Sequence, residues 1–568
     1  MHVVATAGHV DHGKSTLVRA LTGTDPDRWA EEKARGLTID LGFAATSLPS
    51  GREVAFVDVP GHVRFLKNML AGVGAVDVAL FVVASTEGWK PQSEEHLRIL
   101  ELLGVPVGLV ALTKVAVVDD DHRALAAMDV GERLAGVPLV EVDAPTGQGV
   151  DELRAALDDV LGATPTAVDR GRPRLWVDRS FAARGSGTVV TGTLAGGGLA
   201  VGDEAVLLPA GVRVRVRSLQ SHGQALEEAG PGRRLAVNLT GVGHADVARG
   251  DALVRPGQWH EARTVDADLS VLASLDHDVS RRGAYLAYVG SGEHPVRLRV
   301  LGREALAPGG RGAVRLHLPV ALPLLPGDRF VLREAGRSET VGGGEVLDVD
   351  PTVAAGRARP DRSVERVVAE RGWVDVGVLE RLTGERRAPD LGPFVVDPAV
   401  RAAAAVDLER RVDEAGPLGL DVAALSERER LVLDALGTVN VAGGRARRPA
   451  AADPLAGHPF VAALEAAPFA PPSADGVDRA ELRGLVQRGL VLEHDGVWFA
   501  PSAVDAAGRT VAGLLAAQPE GVTVAEVRDA LGTSRKFLLP LLALLDGSGV
   551  TRRRGDRRVG GPRLPSAP

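Results

Sequence analysis

With 568 residues, the chain is too long for a single hydrophobic core, and its length alone predicts about four domains. Its 45% hydrophobic and 25% charged residues are typical of soluble globular proteins. A net charge of −8 excludes a chain that is basic throughout, so a nucleic-acid-binding surface must be local. The absence of cysteine excludes disulfides, thiol catalysis and zinc–thiolate sites, and is typical of the cytoplasm. With no apolar run of 18 residues and no signal-peptide pattern, we expect neither a membrane span nor an export signal.

The first motif is Gly-His-Val-Asp-His-Gly-Lys-Ser at residues 8–15, which fits the phosphate-binding pattern G-x-x-x-x-G-K-[ST]. An apolar segment before it predicts a strand, and residues 16–21 predict a helix start. An ordinary glycine turn would explain the glycines but not the complete motif in this context. Lys14 is expected to neutralise the β- and γ-phosphates and Ser15 to ligate Mg²⁺. The predicted phosphate-binding residues in this segment are Asp11, His12, Gly13, Lys14, Ser15 and Thr16.

A second segment, residues 58–62, reads Asp-Val-Pro-Gly-His at the end of a predicted strand. Asp58 is placed to hold Mg²⁺, Gly61 allows a backbone amide to approach a γ-phosphate, and His62 could orient the attacking water. Thr38 lies between the two motifs and would reach Mg²⁺ only when a triphosphate is bound, which predicts an order–disorder switch. Taken alone, His62 would be a solvated loop histidine and Thr38 an ordinary threonine. Ser15, Thr38 and Asp58 are therefore the predicted metal ligands.

Apolar strands alternate with helical spacing up to about residue 165. Strands are predicted at 53–58, 78–84 and 106–112, and a helix at 93–103. This alternation predicts a mostly parallel sheet covered on both faces, with its ligand at the carboxyl ends of the strands.

These motifs together, with R-G-x-T-I-D at residues 35–40, resemble the translational GTPases of the elongation factor Tu kind. The resemblance implies GTP and Mg²⁺ as cofactors and His62 as the catalytic residue. It also places Val10 and Leu37 where an apolar gate shields the water until the ribosome triggers hydrolysis.

The base-reading motif of that family, [NT]-K-x-D, is altered in this chain to Thr113-Lys114-Val115-Ala116. Thr113 and Lys114 are retained as the guanine-binding residues, but Ala116 cannot accept the hydrogen bonds that select guanine. The later S-A-x loop is also altered, to Asp-Ala-Pro at residues 143–145. An aspartate at positions 119–121 could substitute only if the loop slipped. GTP is thus expected from the resemblance, while the residue that would enforce guanine selectivity is missing.

After a linker at 164–173, short apolar runs separated by Gly, Asp and Pro predict small β-barrels. The R-G-x-G-T-V-V-T-G-T stretch is similar to the second domain of translational GTPases. The close of the second barrel, T-x-G-G-G-x-V-L-D, resembles the selenocysteine-specific elongation factors. That likeness implies a clasp for aminoacyl-tRNA and an aminoacyl pocket at Asp40, Arg179 and Arg234, where cationic groups would select an ionised selenol. Surface ion pairs are the alternative for these three residues, and Arg233 is an equally basic neighbour of Arg234.

From about residue 355, repeated helical spacing followed by short hairpins predicts winged-helix modules. The pattern is clearest in the last module, where a recognition helix is predicted to begin near Ser534, its N-cap residue. Residues 506–568 contain ten basic and five acidic residues, which suits phosphate contact, although a solvated basic tail would give the same composition. The S-R-K-F and T-R-R-R-G-D-R-R segments are similar to the family's terminal module, which binds the hairpin in selenoprotein messenger RNA. The predicted RNA-binding residues are Ser534, Arg535, Lys536, Arg552, Arg553, Arg554, Arg557 and Arg558.

The predicted fold is multidomain, with a P-loop GTPase domain of the α/β class, two β-barrel domains and a C-terminal winged-helix (α+β) array. The predicted boundaries are 1–168 for the GTPase domain, 172–258 and 262–350 for the barrels, 355–505 for the winged-helix repeats and 506–568 for the terminal RNA-binding module. The predicted function is GTP-dependent delivery of selenocysteinyl-tRNA to the ribosome at recoded UGA codons. Partners are then that tRNA, the selenoprotein mRNA hairpin and the ribosome, with a monomeric, cytoplasmic protein and no membrane. The alternatives are a general tRNA carrier GTPase and a non-hydrolysing, nucleotide-dependent RNA-binding regulator.

Overall fold

A computed structural model describes residues 1–26, 38, 40–61, 66–73, 76–183, 187–449 and 455–566. The chain divides into two compact units, Met1–Asp397 and Pro398–Pro568. Among the described residues, no helix combines the length and apolar character needed to cross a membrane.

The N-terminal part of the first unit is an α/β domain, which confirms the predicted class. Within its described residues the sheet has six strands in the order β2-β3-β1-β4-β5-β6, all parallel except β2. The strands are β1 (His2–Ala7), β2 (Gly42–Ser47), β3 (Glu53–Asp58), β4 (Val78–Ala84), β5 (Val107–Thr113) and β6 (Leu139–Glu141). The helices are α1 (Lys14–Thr22), α2 (Leu66–Val73), α3 (Pro91–Leu103), α4 (Asp120–Arg133) and α5 (Val150–Ala163).

The central strands β1 and β4 are buried along their whole length. Apolar clusters lie on both faces of the sheet, one around Phe81 and Ile99 and the other around Phe56 and Leu80. Continuous apolar strands are therefore the pattern that a sheet covered on both faces requires. The carboxyl ends of β1, β3, β4 and β5 meet at one edge, where the predicted motifs begin.

The next part of the unit is a β-barrel. Among the strands that the structure describes here, β11-β16-β7-β9-β15-β12 form a ring that the β11–β12 pairing closes. The strands are β7 (Arg174–Trp176), β8 (Arg179–Ala183), β9 (Gly187–Ala195), β10 (Leu199–Ala200), β11 (Glu204–Leu208), β12 (Val212–Ser221), β13 (Gln224–Leu226), β14 (Glu228–Ala229), β15 (Arg233–Thr240) and β16 (Ala252–Val254). Since β8 pairs only with β9, it lies outside the ring and at its rim.

A second closed barrel follows, with the strand order β17-β22-β20-β19-β23-β24. Its alternating residues bury one side of each strand; β20 alternates buried and exposed positions along its whole length. The strands of this region are β17 (Glu261–Val271), β18 (Val279–Ser280), β19 (Tyr285–Val289), β20 (Gly292–Val300), β21 (Ala305–Leu306), β22 (Arg311–Pro323), β23 (Arg329–Glu334) and β24 (Glu339–Asp348). Two closed barrels confirm the predicted all-β middle of the chain.

The first helical module belongs to the same unit as the barrels. It consists of α6 (Val364–Arg371), β25 (Trp373–Asp375), α7 (Val376–Thr383) and β26 (Phe394–Val396). Its residues Val367 and Leu379 are part of one apolar core with the second barrel. Arg366 also donates to Asp348 at the end of β24, with 2.9 Å between Nη1 and Oδ2. This module is therefore an extension of the second barrel.

The described residues of the second unit form three further modules of helices and small antiparallel sheets. The first has α8 (Pro398–Glu414), β27 (Leu420–Asp421), α9 (Glu427–Asp434), β28 (Asn440–Ala442) and β29 (Arg445–Arg447). The next has α10 (Pro459–Ala466), α11 (Arg479–Gln487), β30 (Leu492–His494) and β31 (Val497–Phe499). The last has α12 (Pro501–Ala517), β32 (Val522–Thr523), α13 (Val524–Leu531), α14 (Arg535–Gly547), β33 (Thr551–Arg554) and β34 (Arg557–Gly560). A helix before a hairpin in each module is the winged-helix plan.

The two barrels are joined by an ion pair between Arg174 of β7 and Asp328, which precedes β23. Both nitrogens of the Arg174 fork donate to the carboxylate at 2.6 Å, and both side chains are largely buried. Asp328 also accepts from the amide of Leu325 at 2.8 Å. The pair is therefore bidentate and desolvated, the geometry in which losing one partner is costly.

We expect Asp328→Asn to lower the free energy of unfolding by about 2–4 kcal/mol, because it leaves the buried Arg174 charge without a carboxylate. Chemical denaturation of the full chain measures this cost. The matched control is Asp268→Asn, whose partner Arg311 is 72% exposed and stays solvated after the change. That variant should lose less than about 1 kcal/mol. An equal loss of unfolding free energy in the two variants would contradict the conclusion that the Arg174–Asp328 pair is a buried contact that joins the barrels.

Candidate functional site

The predicted phosphate loop lies between β1 and α1 and has the backbone that a phosphate cradle needs. Gly8 has φ +132°, and a Cβ there would lie 2.1 Å from the carbonyl oxygen of Val82. Asp11 and Gly13 also have positive φ, at +59° and +86°. Because α1 begins at Lys14, the loop directs the amides of a helix N-terminus toward the space that it encloses.

Lys14 lies inside this loop and is buried. Its Nζ donates to the carbonyl oxygens of Gly8 at 3.1 Å and His9 at 2.7 Å. A Cβ at Gly61 would stand 2.5 Å from that Nζ and 2.7 Å from the amide nitrogen of Val10. The structure thus brings the predicted residues Lys14 and Gly61 together, and only glycine fits at position 61.

The three predicted metal ligands also meet. The Ser15 hydroxyl donates to Asp58 at 2.6 Å and lies 2.8 Å from the Thr38 hydroxyl. The other Asp58 oxygen accepts from Thr6 at 2.7 Å. Two hydroxyls and a carboxylate are oxygen donors of the kind that Mg²⁺ prefers beside phosphates. The residues present therefore fit the ion, and Thr6 is a positioning residue that the sequence motifs did not indicate.

Two histidines, His12 within the loop and His96 of α3 beside it, are held neutral. The amide of Gly8 donates to His96 Nδ1 at 3.1 Å, and a protonated ring could not accept that bond. Burial lowers the pKa of His96 to about 3, and burial likewise lowers the pKa of His12 to about 3. His12 Nδ1 donates to the carbonyl oxygen of Val82 at 3.3 Å, which attaches the loop to β4. His12 is thus a predicted phosphate-loop residue whose side chain is buried in the domain.

Part of the predicted catalytic machinery lies outside the described residues. These positions are His62, the predicted catalytic residue, and Leu37 of the apolar gate. Val10 of the gate is described; its amide donates to the side-chain oxygen of Gln92 at 3.2 Å. Gln92, near the start of α3, is a second contact to the loop that the motifs did not indicate.

The base-reading loop follows β5. The Thr113 hydroxyl donates to the His12 carbonyl oxygen at 2.7 Å, which ties this loop to the phosphate loop. Lys114 has φ +60°, and its carbonyl oxygen accepts from the Ser85 hydroxyl at 3.0 Å. Ala116 follows in a short 3₁₀ turn and is exposed. Position 116 therefore has room for a larger, polar side chain.

Three of the nearby acids, Asp119, Asp120 and Asp143, are engaged in local contacts. Asp119 is the N-cap of α4 and accepts from the His122 amide at 2.9 Å, while Asp120 pairs with Arg123. Asp143, in the second altered loop, accepts from the Thr146 hydroxyl at 2.8 Å. Asp119 and Asp143 are thus engaged in local turns, as capping and Asx-turn chemistry requires.

The predicted aminoacyl pocket forms a cluster around Phe43 of β2. The guanidinium of Arg234 lies 3.4 Å from the Phe43 ring centroid and that of Arg179 lies 4.7 Å away. Arg179 lies 3.5 Å from Asp40 and also donates to the carbonyl oxygen of Leu41. Arg234, however, is buried in a bidentate pair with Asp178, at 2.6 and 3.0 Å. The three predicted residues are therefore brought together, but Asp178 already balances the charge of Arg234.

Arg249 completes this cluster. It donates to Asp40 at 2.7 Å, to the Asn68 side chain at 2.7 Å and to the Asp178 carbonyl oxygen at 2.8 Å. Burial alone would raise the pKa of Asp40, but the hydrogen bond and charge of Arg249, with Arg179, hold it below its usual value. Among the described residues of this cluster, three guanidinium groups thus face the carboxylates of Asp40 and Asp178.

The terminal module presents a basic wing. Arg552, Arg553 and Arg554 are exposed on β33, and Arg535 and Lys536 open α14. Ser534 is the N-cap residue as predicted, although the described contacts include no capping bond from its hydroxyl. Because Arg552, Arg553, Arg554, Arg535 and Lys536 are exposed, both the wing and the start of α14 are accessible to a binding partner.

The two remaining predicted arginines, on β34, differ in their surroundings. Arg557 is exposed and donates to the Gly521 carbonyl oxygen at 2.7 Å. Arg558 donates to Asp546 at 3.2 Å, and its side chain is largely buried. Arg558 therefore stabilises the wing by attaching β34 to Asp546 of α14.

Four family models match the chain. They are described as "Elongation factor Tu GTP binding domain" at residues 1–163, "Elongation factor Tu domain 2" at 187–254, "Selenocysteine-specific elongation factor, beta-barrel domain" at 267–353 and "Elongation factor SelB, winged helix" at 514–559.

Curated relatives with the same likeness include the selenocysteine-specific elongation factor of Desulfomicrobium baculatum. It is 41% identical over 353 residues, 61% of this chain and 55% of that protein. The Escherichia coli (strain K12) factor of the same name is 36% identical over 67% of this chain and 64% of its own length. The matched part thus spans less than two thirds of either relative.

A solved structure extends the likeness to almost the full length. The crystal structure of a bacterial selenocysteine-specific elongation factor, EF-Sec, is 26% identical, covers 98% of this chain and 99% of its own, and has a TM-score of 0.70. Elongation factor Tu 2 of Streptomyces avermitilis is 34% identical over 386 residues, which are 61% of this chain and 96% of that protein. The chain belongs to the elongation factor Tu-like translational GTPases. Within this family, its second barrel, its terminal winged helix and the full-length structural match are similar to bacterial selenocysteine-specific elongation factors.

Sequence motifs located the phosphate loop and the wing because each is a continuous segment of the chain. Arg249, Asp178 and His96 had no such signal. Each acts through a partner far away in the chain, such as Asp40, which is 209 residues from Arg249. The one weak signal was local: Asp178 precedes Arg179 in the V-D-R-S-F segment.

We expect His96→Gln to reduce the acid sensitivity of folding. The folded-state pKa of His96 is depressed, so its neutral form stabilises the fold above about pH 6.5 and that stability is lost as the pH falls below it. One such proton corresponds to about 1.4 kcal/mol per pH unit, or about 2 kcal/mol between pH 6.5 and pH 5. Denaturant titrations at both pH values measure the difference. The exposed His244, changed to Gln, is the control and should keep the wild-type dependence; the same dependence in His96→Gln would refute the assignment.

Proposed function

We propose that this protein is a GTPase that carries selenocysteinyl-tRNA to the ribosome at recoded UGA codons and holds the selenoprotein mRNA hairpin. The protein would act as a cytoplasmic monomer. Mg²⁺, held by Ser15, Thr38 and Asp58, would neutralise charge on the β- and γ-phosphates. His62 would orient the attacking water when the ribosome triggers hydrolysis.

The observation that carries the proposal is the short segment from Thr38 to Phe43. Thr38 contacts Ser15 at one end, and Asp40 and Phe43 join the arginine cluster of the first barrel at the other. Only one residue separates Thr38 from Asp40. A γ-phosphate that draws Thr38 toward the metal therefore acts on the same segment that supports the aminoacyl cluster, which supports nucleotide-controlled grip on the tRNA.

The charge of the cluster supports selenocysteine as the amino acid. A selenol is largely ionised near neutral pH, whereas seryl and cysteinyl groups are largely neutral. The guanidinium groups of Arg179, Arg234 and Arg249 supply positive charge that would complement a selenolate. Discrimination would then come from charge balance in a partly desolvated site.

The terminal wing supports binding of the mRNA hairpin. Its exposed arginines on β33 and the basic start of α14 are suited to backbone phosphates of an RNA loop or bulge. We also propose the division into 1–168, 172–258, 262–350, 355–505 and 506–568 as functional domains. The α/β sheet and the two closed barrels support the first three ranges, whereas the module at 364–396 shares the core of the second barrel.

One alternative retains a specific observation in its favour. Ala116 removes the carboxylate that reads guanine, which is the feature expected of a nucleotide-dependent regulator that no longer hydrolyses GTP. Hydrolysis of GTP that ribosomes stimulate would exclude this regulator.

The proposed function is tested by binding of selenocysteinyl-tRNA to the full chain loaded with a non-hydrolysable GTP analogue or with GDP. Protection of the aminoacyl ester from hydrolysis measures the affinity. We expect the analogue-bound protein to bind roughly 100-fold more tightly, a coupling of about 2.7 kcal/mol. Seryl-tRNA of the same sequence is the control and should bind weakly in both states. Equal protection with the analogue and with GDP would refute the proposal.

Ala116→Asp should increase the preference for GTP over ATP. A carboxylate at this exposed position would accept two charge-assisted hydrogen bonds from guanine, each contributing about 1.5–3 kcal/mol, so the preference should rise at least roughly tenfold. Calorimetric titration with GTP, ATP and XTP measures the change. Val117→Asp is the matched control, because it adds the same charge at the adjacent exposed residue. A similar rise in the preference for GTP in both variants would show that added charge alone causes it, and would contradict base reading at position 116.

A further inference from the structure

The second unit contains a basic groove at the junction of two modules, apart from the terminal wing. It is a cavity of about 460 Å³ between the β28–β29 hairpin and α11. One wall carries Arg445 and Arg447 of β29, and the other carries Arg483 and Gln487 of α11 with Arg488 just beyond it. We refer to these five residues as the inter-module groove. In winged-helix terms, the hairpin of one module faces the helix before the hairpin of the next.

Arginines on the hairpin wall are held in place by main-chain carbonyls. Arg445 donates to the Gly419 carbonyl oxygen at 2.9 Å, and Arg447 donates to that of Leu418 at 3.2 Å. The stem of Arg447 also packs on Gly419, where a Cβ would lie 2.6 Å from its Cγ. A carbonyl orients a guanidinium but does not cancel its charge. The hairpin wall is therefore preorganised and cationic.

Other arginines of the same module are neutralised. Arg410 pairs with Asp407 and Glu414, both at 2.6 Å, and Arg448 pairs with Asp413 at 2.8 Å. In the groove, Arg483 donates to the Arg479 carbonyl oxygen at 3.2 Å, and Asp421 is the one acid among the described residues that line it. Arg445 and Arg483, one on each wall, are thus oriented by carbonyl oxygens, whereas Arg410 and Arg448 pair with carboxylates.

We propose that the inter-module groove binds the sugar–phosphate backbone of an RNA segment, as a second RNA contact in addition to the terminal wing. Arginine forks on two facing walls match the paired oxygens of successive phosphates. Gln487 adds an amide that can bond a ribose or a base edge. This inference goes beyond the proposed function, because it requires neither bound nucleotide nor tRNA.

The test uses the full chain and a fluorescent single-stranded RNA of 24 nucleotides and mixed sequence, with binding measured by anisotropy over a range of salt concentrations. The reference protein carries Arg552→Ala, Arg553→Ala and Arg554→Ala, so that the terminal wing does not contribute. In this background, Arg445→Gln with Arg483→Gln should weaken binding roughly 10-fold or more. Losing two phosphate contacts should also reduce the slope of log K against log salt by about 1.4.

The matched control is Arg410→Gln with Arg411→Gln, which removes the same charge from arginines that pair with carboxylates. Its slope should stay at the reference value. Arg445→Lys with Arg483→Lys keeps the charge and should keep most of the slope, so a folding defect in the glutamine variant would be recognised.

Three results would overturn the proposal. The first is an unchanged slope in the glutamine variant, and the second is an equal loss in the control pair. The third is competition by polyglutamate that exceeds competition by the unlabelled RNA, since this would assign the groove to an acidic protein surface. None of these results bears on the nucleotide-dependent tRNA binding that tests the proposed function.

Discussion

The Asp58 carboxylate is the contact on which the rest of the site depends. One of its oxygens accepts from Thr6 of β1 and the other from Ser15 of α1, and Ser15 in turn contacts Thr38. The strand β1, the start of α1 and the segment at Thr38 therefore meet at one buried acid of β3. Because a buried carboxylate requires hydrogen-bond donors, removing the hydroxyl of Thr6 or of Ser15 would take one donor away from the Asp58 charge.

This contact explains how events at a phosphate could reach the barrel. Thr38 lies two positions from Asp40, and Asp40 is bound by Arg249 of the barrel. Arg249 also holds Asn68 of α2 and the backbone at Asp178, so it links two parts of the α/β domain to the barrel rim. A change at the predicted metal ligands would thus reach the barrel through a few charge-assisted bonds, which are short and directional.

The two units use arginine in different ways. In the first unit, buried arginines such as Arg174 and Arg234 form bidentate pairs that join or support domains. In the second unit, the wing leaves arginines in water, and the groove directs them by carbonyl bonds. Since a carbonyl oxygen orients a guanidinium without cancelling its charge, this placement supports the anionic partners proposed above.

Elements that depend on neighbouring residues alone could be predicted from the amino-acid pattern. The phosphate loop, the strand after it and the Asp58–Gly61 segment could be predicted because turn geometry and apolar periodicity are written in neighbouring residues. The two barrels and the basic wing followed from similar local patterns, as did the loss of the guanine-reading carboxylate at Ala116.

The pairing of charges, in contrast, became visible in the folded chain. The sequence suggested Asp40, Arg179 and Arg234 as a pocket, but it could not show that Asp178 neutralises Arg234 or that Arg249 binds Asp40. It also could not separate the exposed arginines of β33 from Arg558, which pairs with Asp546, or reveal the groove at Arg445 and Arg483. The reason is physical: an ion pair depends on distance and burial, and both are set by the packing of elements that lie far apart in the chain.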